Sequence, residues 1–177
     1  MRHLIACLTL GLAATPALAG PENFETGPVI KNYGPAATVS DIMPVVPGTR
    51  FRIAFDAAKD ADALNPTLES AARFLNMNAK AGVGPERIDL AVVVHGGAVM
   101  DVLDADAHAA RKNGAENPNA RLVAALREHG VRVIVCGQTA AYRGVVTDDL
   151  LPGVEMDMSA MTAHARLQQA GYTLNPF

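Results

Sequence analysis

Two short runs constrain the fold of this chain most. Ile88–Val94 reads Ile-Asp-Leu-Ala-Val-Val-Val, and Val131–Val135 reads Val-Arg-Val-Ile-Val. Both are nearly all apolar and rich in β-branched side chains, the composition of strands covered on both faces. Such strands pair in parallel, and parallel pairing needs helical crossovers. The rest of the chain supplies them. Phe51, Ile53 and Phe55 alternate into Asp56 as a first strand. Asn65-Pro66 gives a cap followed by proline at the first helical position, with Leu64, Leu68, Ala71, Ala72 and Leu75 on the helical period. Asn117-Pro118 repeats that start, Leu122, Val123, Ala125 and Leu126 form the stripe, and Gly130 stops it. Val154, Met156 and Met158 alternate with Glu155 and Asp157 as a half-exposed strand whose methionines suit core packing. Ser159 caps a last helix with Ala160, Ala163, Leu167 and Ala170 inward, and Tyr172–Leu174 is a final short strand. The polar stretch from Val99 to Asn117 reads as a short helix or lid near the site, or as a solvated connection. The expected fold class is α/β: a three-layer α/β/α arrangement with a mainly parallel sheet of about five strands and right-handed crossovers.

The organisation before that domain is also legible. Arg2 and His3, the apolar Leu4 to Ala14, and Ala17-Leu18-Ala19 before Gly20 read as a signal peptide over 1–19. Its apolar part falls short of the roughly 20 residues a membrane span needs, so no membrane span is expected. Residues 20–50, with prolines at 21, 28, 35, 44 and 47, read as a proline-rich extended arm over the domain or towards a neighbouring subunit, or as a disordered linker. Residues 51–177 form the α/β domain. The expectation is an exported, periplasmic chain of 158 residues. Without Arg2 it holds 14 basic against 18 acidic side chains, a formal charge of −4. That balance gives no footprint for nucleic acid or an anionic membrane. Cys7 leaves with the signal, so Cys136 stands as the single cysteine of the mature chain and no internal disulfide forms.

Cys136 falls where the strand Val131–Val135 ends and Gly137 opens a helix-compatible stretch, Gln138 to Tyr142, closed by Gly144. The carboxyl edge of a parallel sheet is where ligands bind, and a helix N-terminus there favours an anion. A thiol so placed ionises more readily than a free cysteine, whose pKa is about 8.5. The alternative is a small buried hydrophobe. His95-Gly96-Gly97 closes the Ile88–Val94 strand on the same edge, either as a binding turn open to close backbone approach or as a tight turn with a satisfied histidine. A Cys–His pair with His95 is open to this topology. Arg143 shares the helix face of Cys136 but stands about 10 Å along it, so it reaches the thiol only through a bend or a subunit contact. The glycines match neither a phosphate loop nor a dinucleotide fingerprint, and the Gly-x-Ser-x-Gly elbow of a serine hydrolase is absent. The histidines show no ligand spacing, so no metal and no cofactor are expected.

The segment from Cys136 to Arg143-Gly144 resembles the Cys, small-residue, Arg-Gly segment of the DsrE/DsrF-like proteins, which include sulfur-relay subunits. The similarity extends through His95-Gly96-Gly97, Asn117-Pro118-Asn119, Leu151-Pro152-Gly153-Val154-Glu155 and Gly171-Tyr172, covering roughly Phe51 to Phe177. The resemblance implies a three-layer α/β fold, a homo-oligomer, and a cysteine at position 136 that carries sulfur as a persulfide between a donor and an acceptor protein. The candidate binding residues around that cysteine are His95, Gly96, Gly97, Gly137, Gln138 and Arg143. Two departures are visible: the relay proteins act in the cytoplasm, whereas this chain carries an export signal, and the Val-Cys-Gly-Gln context differs from theirs. Two functions follow: a periplasmic sulfur carrier or sulfurtransferase-like protein, or a non-catalytic oligomeric module for small-ligand binding or assembly.

Overall fold

The computed structural model describes residues 20–176; the expected signal peptide, Cys7 included, lies outside the described residues. Five strands, β1 (Phe51–Ala57), β2 (Ile88–Val94), β3 (Arg132–Cys136), β4 (Glu155–Asp157) and β5 (Thr173–Asn175), form one sheet in the order β4-β3-β2-β1-β5. Every pairing is parallel. The connecting helices are α1 (Pro66–Lys80), α2 (Ala105–Arg111), α3 (Ala120–Glu128), α4 (Gly137–Arg143) and α5 (Ala160–Gln169). Among the described residues no helix is long and apolar enough to cross a membrane.

Side-chain alternation along the strands sorts residues between two unequal layers. Phe55 and Ala57 of β1, Leu90, Val92 and Val94 of β2, and Val133 and Val135 of β3 pack with Leu68, Leu75, Leu122, Leu126 and Ala140 in the larger core. The alternate positions Ala54, Ala91, Val93 and Ile134 meet Ala163 and Leu167 of α5, with Ala160 and Tyr172 packed beside them. Each fully buried Leu, Val or Phe contributes about 1.5–3 kcal/mol, so the larger layer dominates the stability. One helix cannot cover a five-stranded face. At the sheet's amino edge the uncovered part carries two solvent-exposed ion pairs, Arg52 with Asp89 at 3.0 Å and Arg132 with Glu155 at 2.7 Å. At the carboxyl edge of the same face lies the cleft described below.

Three local expectations differ from what is found. The stretch from Val99 to Asn117 does hold a short helix, α2, but is neither lid nor solvated connection: residues 96–102 form a tight 3-10 turn, and Ala98 to Leu103 are buried in the main core before α2 starts at its Asp104 cap. Asn117-Pro118 does not open α3, which begins at Ala120. Asn117 Oδ1 instead accepts from the Asn119 N–H at 2.8 Å, a local turn that delays the helix. Asn119 spends its amide on the neighbouring loop, accepting from the Asn65 N–H at 2.7 Å and donating to the Ala63 carbonyl at 3.1 Å. Finally, Met156 packs against the main core, but Met158 is exposed because β4 ends at Asp157.

Residues 20–36 lie against α1. The Asn76 side chain is fully buried and ties this segment down: its Oδ1 accepts from the Val29 and Ile30 N–H groups at 3.1 and 2.8 Å. Its amide donates to the carbonyls of Ile30, Tyr33 and Gly34 at 2.9–3.0 Å. Ile30 and Ala36 are thereby buried. Residues 37–46 depart from this pattern and leave Val39, Ile42, Met43 and Val46 exposed.

Candidate functional site

Cys136 is the last residue of β3 and the N-cap of α4, so strand and helix meet at its sulfur. The turn is tight because Gly137 has no side chain: a Cβ there would stand 2.7 Å from the Asp157 carbonyl oxygen. That contact draws the end of β4 and the start of α5 onto Cys136. Burial pushes the thiol up, yet the Thr139 hydroxyl and the backbone N–H groups of Thr139, Ala160 and Gln138 outweigh it, leaving the thiol pKa below the ordinary value. The Thr139 oxygen itself accepts from the Gly96 N–H at 3.3 Å, so the turn after β2 helps hold the donor in place.

The cysteine is only 6 % exposed, but it lines an open cleft of about 320 Å³ together with Asp56, His95, Gln138, Ser159, Ala160, Met161 and His164. Asp56, at the end of β1, accepts from two imidazoles at once. His95 Nε2 meets Oδ2 at 3.0 Å and His164 Nε2 meets Oδ1 at 2.7 Å. Burial raises the Asp56 pKa, but the two histidines outweigh that and keep it below the usual carboxylate value. Both rings turn Nε2 onto the carboxylate, so the donor atoms are spent on one another rather than aimed at a common ion. Among the described residues no cluster is arranged to hold a metal.

The residues singled out from sequence are placed unevenly. Cys136, His95 and Gln138 share the cleft. Gly96 and Gly97 shape it indirectly. Gly96 has a φ of +55°, and Cβ atoms at the two positions would stand 2.7 Å from the Ala58 oxygen and 2.6 Å from the Asp60 nitrogen. The backbone they admit is that of residues 58–60 of this chain. Arg143 is at the far end of α4, exposed and off the cleft wall. Sequence reading missed Asp56 and His164. Asp56 carried a signal, a carboxylate ending a strand on the carboxyl edge. His164 carried none, since only the docking of α5 brings it to a residue 108 positions away.

A family model, the DsrE/DsrF-like family, matches residues 51–176. No curated protein matches the chain. Among solved structures, the protein of unknown function MTH1491 from Methanobacterium thermoautotrophicum is 24 % identical with a TM-score of 0.56. It is covered over 99 % of its length by 72 % of this chain. The ychN protein from E. coli is 18 % identical with a TM-score of 0.52, at the same coverages. At these identities the two structures speak for the fold, a parallel α/β sheet flanked by helices. The family match spans the whole sheet, both helical layers and the cleft, and the chain belongs to the DsrE/DsrF-like family.

Proposed function

We propose that this protein is an exported, periplasmic sulfur carrier that forms homo-oligomers and holds sulfane sulfur as a persulfide on Cys136. The observation that carries the reading is the thiol's setting: hydrogen-bond donors from α4 and α5 favour its thiolate, at the floor of an open cleft. Sulfur relay by members of the family supports it. A persulfide needs such a nucleophilic thiolate, shelter from stray thiols, and an opening for the donor. Export rests on the signal read at 1–19, and a donor or acceptor protein is the expected partner.

Intact mass and alkylation test the reading together. Protein purified from its native host has the mass of a chain beginning at Gly20, and incubation with inorganic polysulfide adds sulfur atoms that Cys136→Ser abolishes. Alkylation of the native protein follows a pKa below the free-thiol value of about 8.5. A Cys136 that labels only after denaturation would defeat the carrier. That result would favour the alternative, a non-catalytic binding or assembly module on the same fold.

A further inference from the structure

A thiolate and a leaving thiol make opposite demands on a proton, and the cleft contains a second chemical group that can meet them. Asp56 is held ionised, and an ionised carboxylate only accepts, so both imidazoles present Nε2–H to it. Nδ1 of each ring is therefore the atom left for other work. His164 Nδ1 is buried and meets no partner among the described residues. Folded proteins rarely leave a buried ring nitrogen unpaired, and such atoms call for a reason. The helix supplies its direction. His164 is one turn along α5 from Ala160, whose N–H faces the Cys136 sulfur, and side chains of a helix lean back over the preceding turn. Ala160, His164 and Cys136 accordingly line one cleft. His95 grips the other carboxylate oxygen but is more exposed, and its Nδ1 is not sequestered.

We propose that His164 is the acid–base partner of Cys136 in sulfur transfer from a low-molecular-weight persulfide, with Asp56 as its positioning residue and His95 fixing Asp56 from the opposite side. The inference rests on the carrier reading above. In the first step His164 Nδ1, which makes no hydrogen bond to Cys136 Sγ in the resting cleft, closes on the thiol once the donor is seated and takes its proton, leaving thiolate and imidazolium. The thiolate then attacks the outer sulfur of R–S–SH; the donor's S–S bond breaks as the Cys136–S bond forms. The departing electron pair leaves on R–S⁻, which takes the proton from His164 Nδ1–H. The sum is Cys136–SH and R–S–SH giving Cys136–S–SH and R–SH, with no external oxidant or reductant. The imidazolium is paired with Asp56 throughout, which is the role of a carboxylate behind a catalytic histidine.

The ionisable groups at this corner are Asp56 on β1, His95 after β2 and Cys136 on β3. Asp157 on β4, in register with Cys136, is engaged by Arg166 of α5 at 3.7 Å. Asp89 of β2 is bound to Arg52 at the opposite edge of the sheet. β5, Thr173–Asn175, contributes no ionisable side chain. A two-limbed pH profile of loading is therefore assigned to Cys136 and the His164–Asp56–His95 set.

The test is single-turnover loading with glutathione persulfide, followed by intact mass, beside alkylation with iodoacetamide, whose iodide leaving group needs no proton. His164→Gln lowers loading by about 100-fold and removes one limb of its pH profile, as loss of a general acid–base does. Iodoacetamide labelling above the thiol's titration stays at the native rate. In His164→Ala, free imidazole restores part of the loading, a readout that does not depend on how well Gln is accommodated. Native loading and an unchanged profile in His164→Gln would overturn the proposal. So would an equal loss of labelling and loading, because His164 would then only shape the cleft. If the unaltered protein labels with iodoacetamide but never gains sulfur, the carrier reading itself fails, an outcome distinct from either.

Discussion

Asp101 is 1 % exposed beneath the loop that joins β1 to α1. Its Oδ2 accepts from Asn65 Nδ2 at 2.6 Å, and its Oδ1 meets no partner among the described residues. Burial pushes its pKa up to about 6 from the ordinary 3.8, against the lowering effect of Asn65. A raised carboxyl pKa means that the folded state binds more protons than the unfolded state between those two values. Stability therefore falls as pH rises through that window and stays lower above it, by about 3 kcal/mol if the whole shift is expressed. Asp101→Asn keeps the shape and cannot ionise, so urea titrations from pH 4 to 7 should show this decline flattened in the variant. A variant whose stability still falls across that range as the native protein's does would contradict the assignment.

At the scale of elements, the cleft depends on how α5 begins. Ser159 Oγ accepts from the Thr162 N–H at 3.0 Å, satisfying a donor that the helix itself cannot. Ser159→Ala should cost about 1 kcal/mol, seen as a lower urea midpoint with unchanged slope. The cost would be near zero if water replaced the hydroxyl at no loss. The cap was readable from Ser159 and the apolar stripe that follows it. The start of α3 was not, because Asn117 and Asn119 are both cap-forming residues, and the choice between them is made by other loops. Asn117 donates to the carbonyls of Asp101 and Leu103 at 3.0 and 2.8 Å, while Asn119 serves Asn65 and Ala63. No spacing within the chain encodes those partners.

For the whole molecule, the two sheet faces differ in cover and the arm differs along its length. The first part of the arm is locked by Asn76, whereas the second part leaves Val39, Ile42, Met43 and Val46 in solvent. Tyr142, Met158 and Met161 are exposed as well. That much apolar surface, with the assembly implied for the family, argues for self-association. Light scattering of residues 20–177 should therefore give a mass well above that of one chain. A monomer at high micromolar concentration would count against it.

Local composition was enough to place the parallel sheet and the thiol. Val-Val-Val in β2 and Val-Ile-Val in β3 tolerate only double cover, and the change from β-branched residues to Gly137 marks where strand gives way to helix. Composition acts locally, so such features survive without knowledge of the rest of the chain. Tertiary structure alone decided what surrounds Cys136. The strand order brings β1 beside β2, which sets Asp56 near His95, and the packing of α5 through Ala163 and Leu167 carries His164 onto that carboxylate. It also decided that Asp101 and His108 are buried after Val99, because Val99, Met100, Val102, Leu103 and Ala107 around them enter the main core. These outcomes depend on contacts between residues far apart in the chain, and periodicity reports only which side of its own element a residue faces.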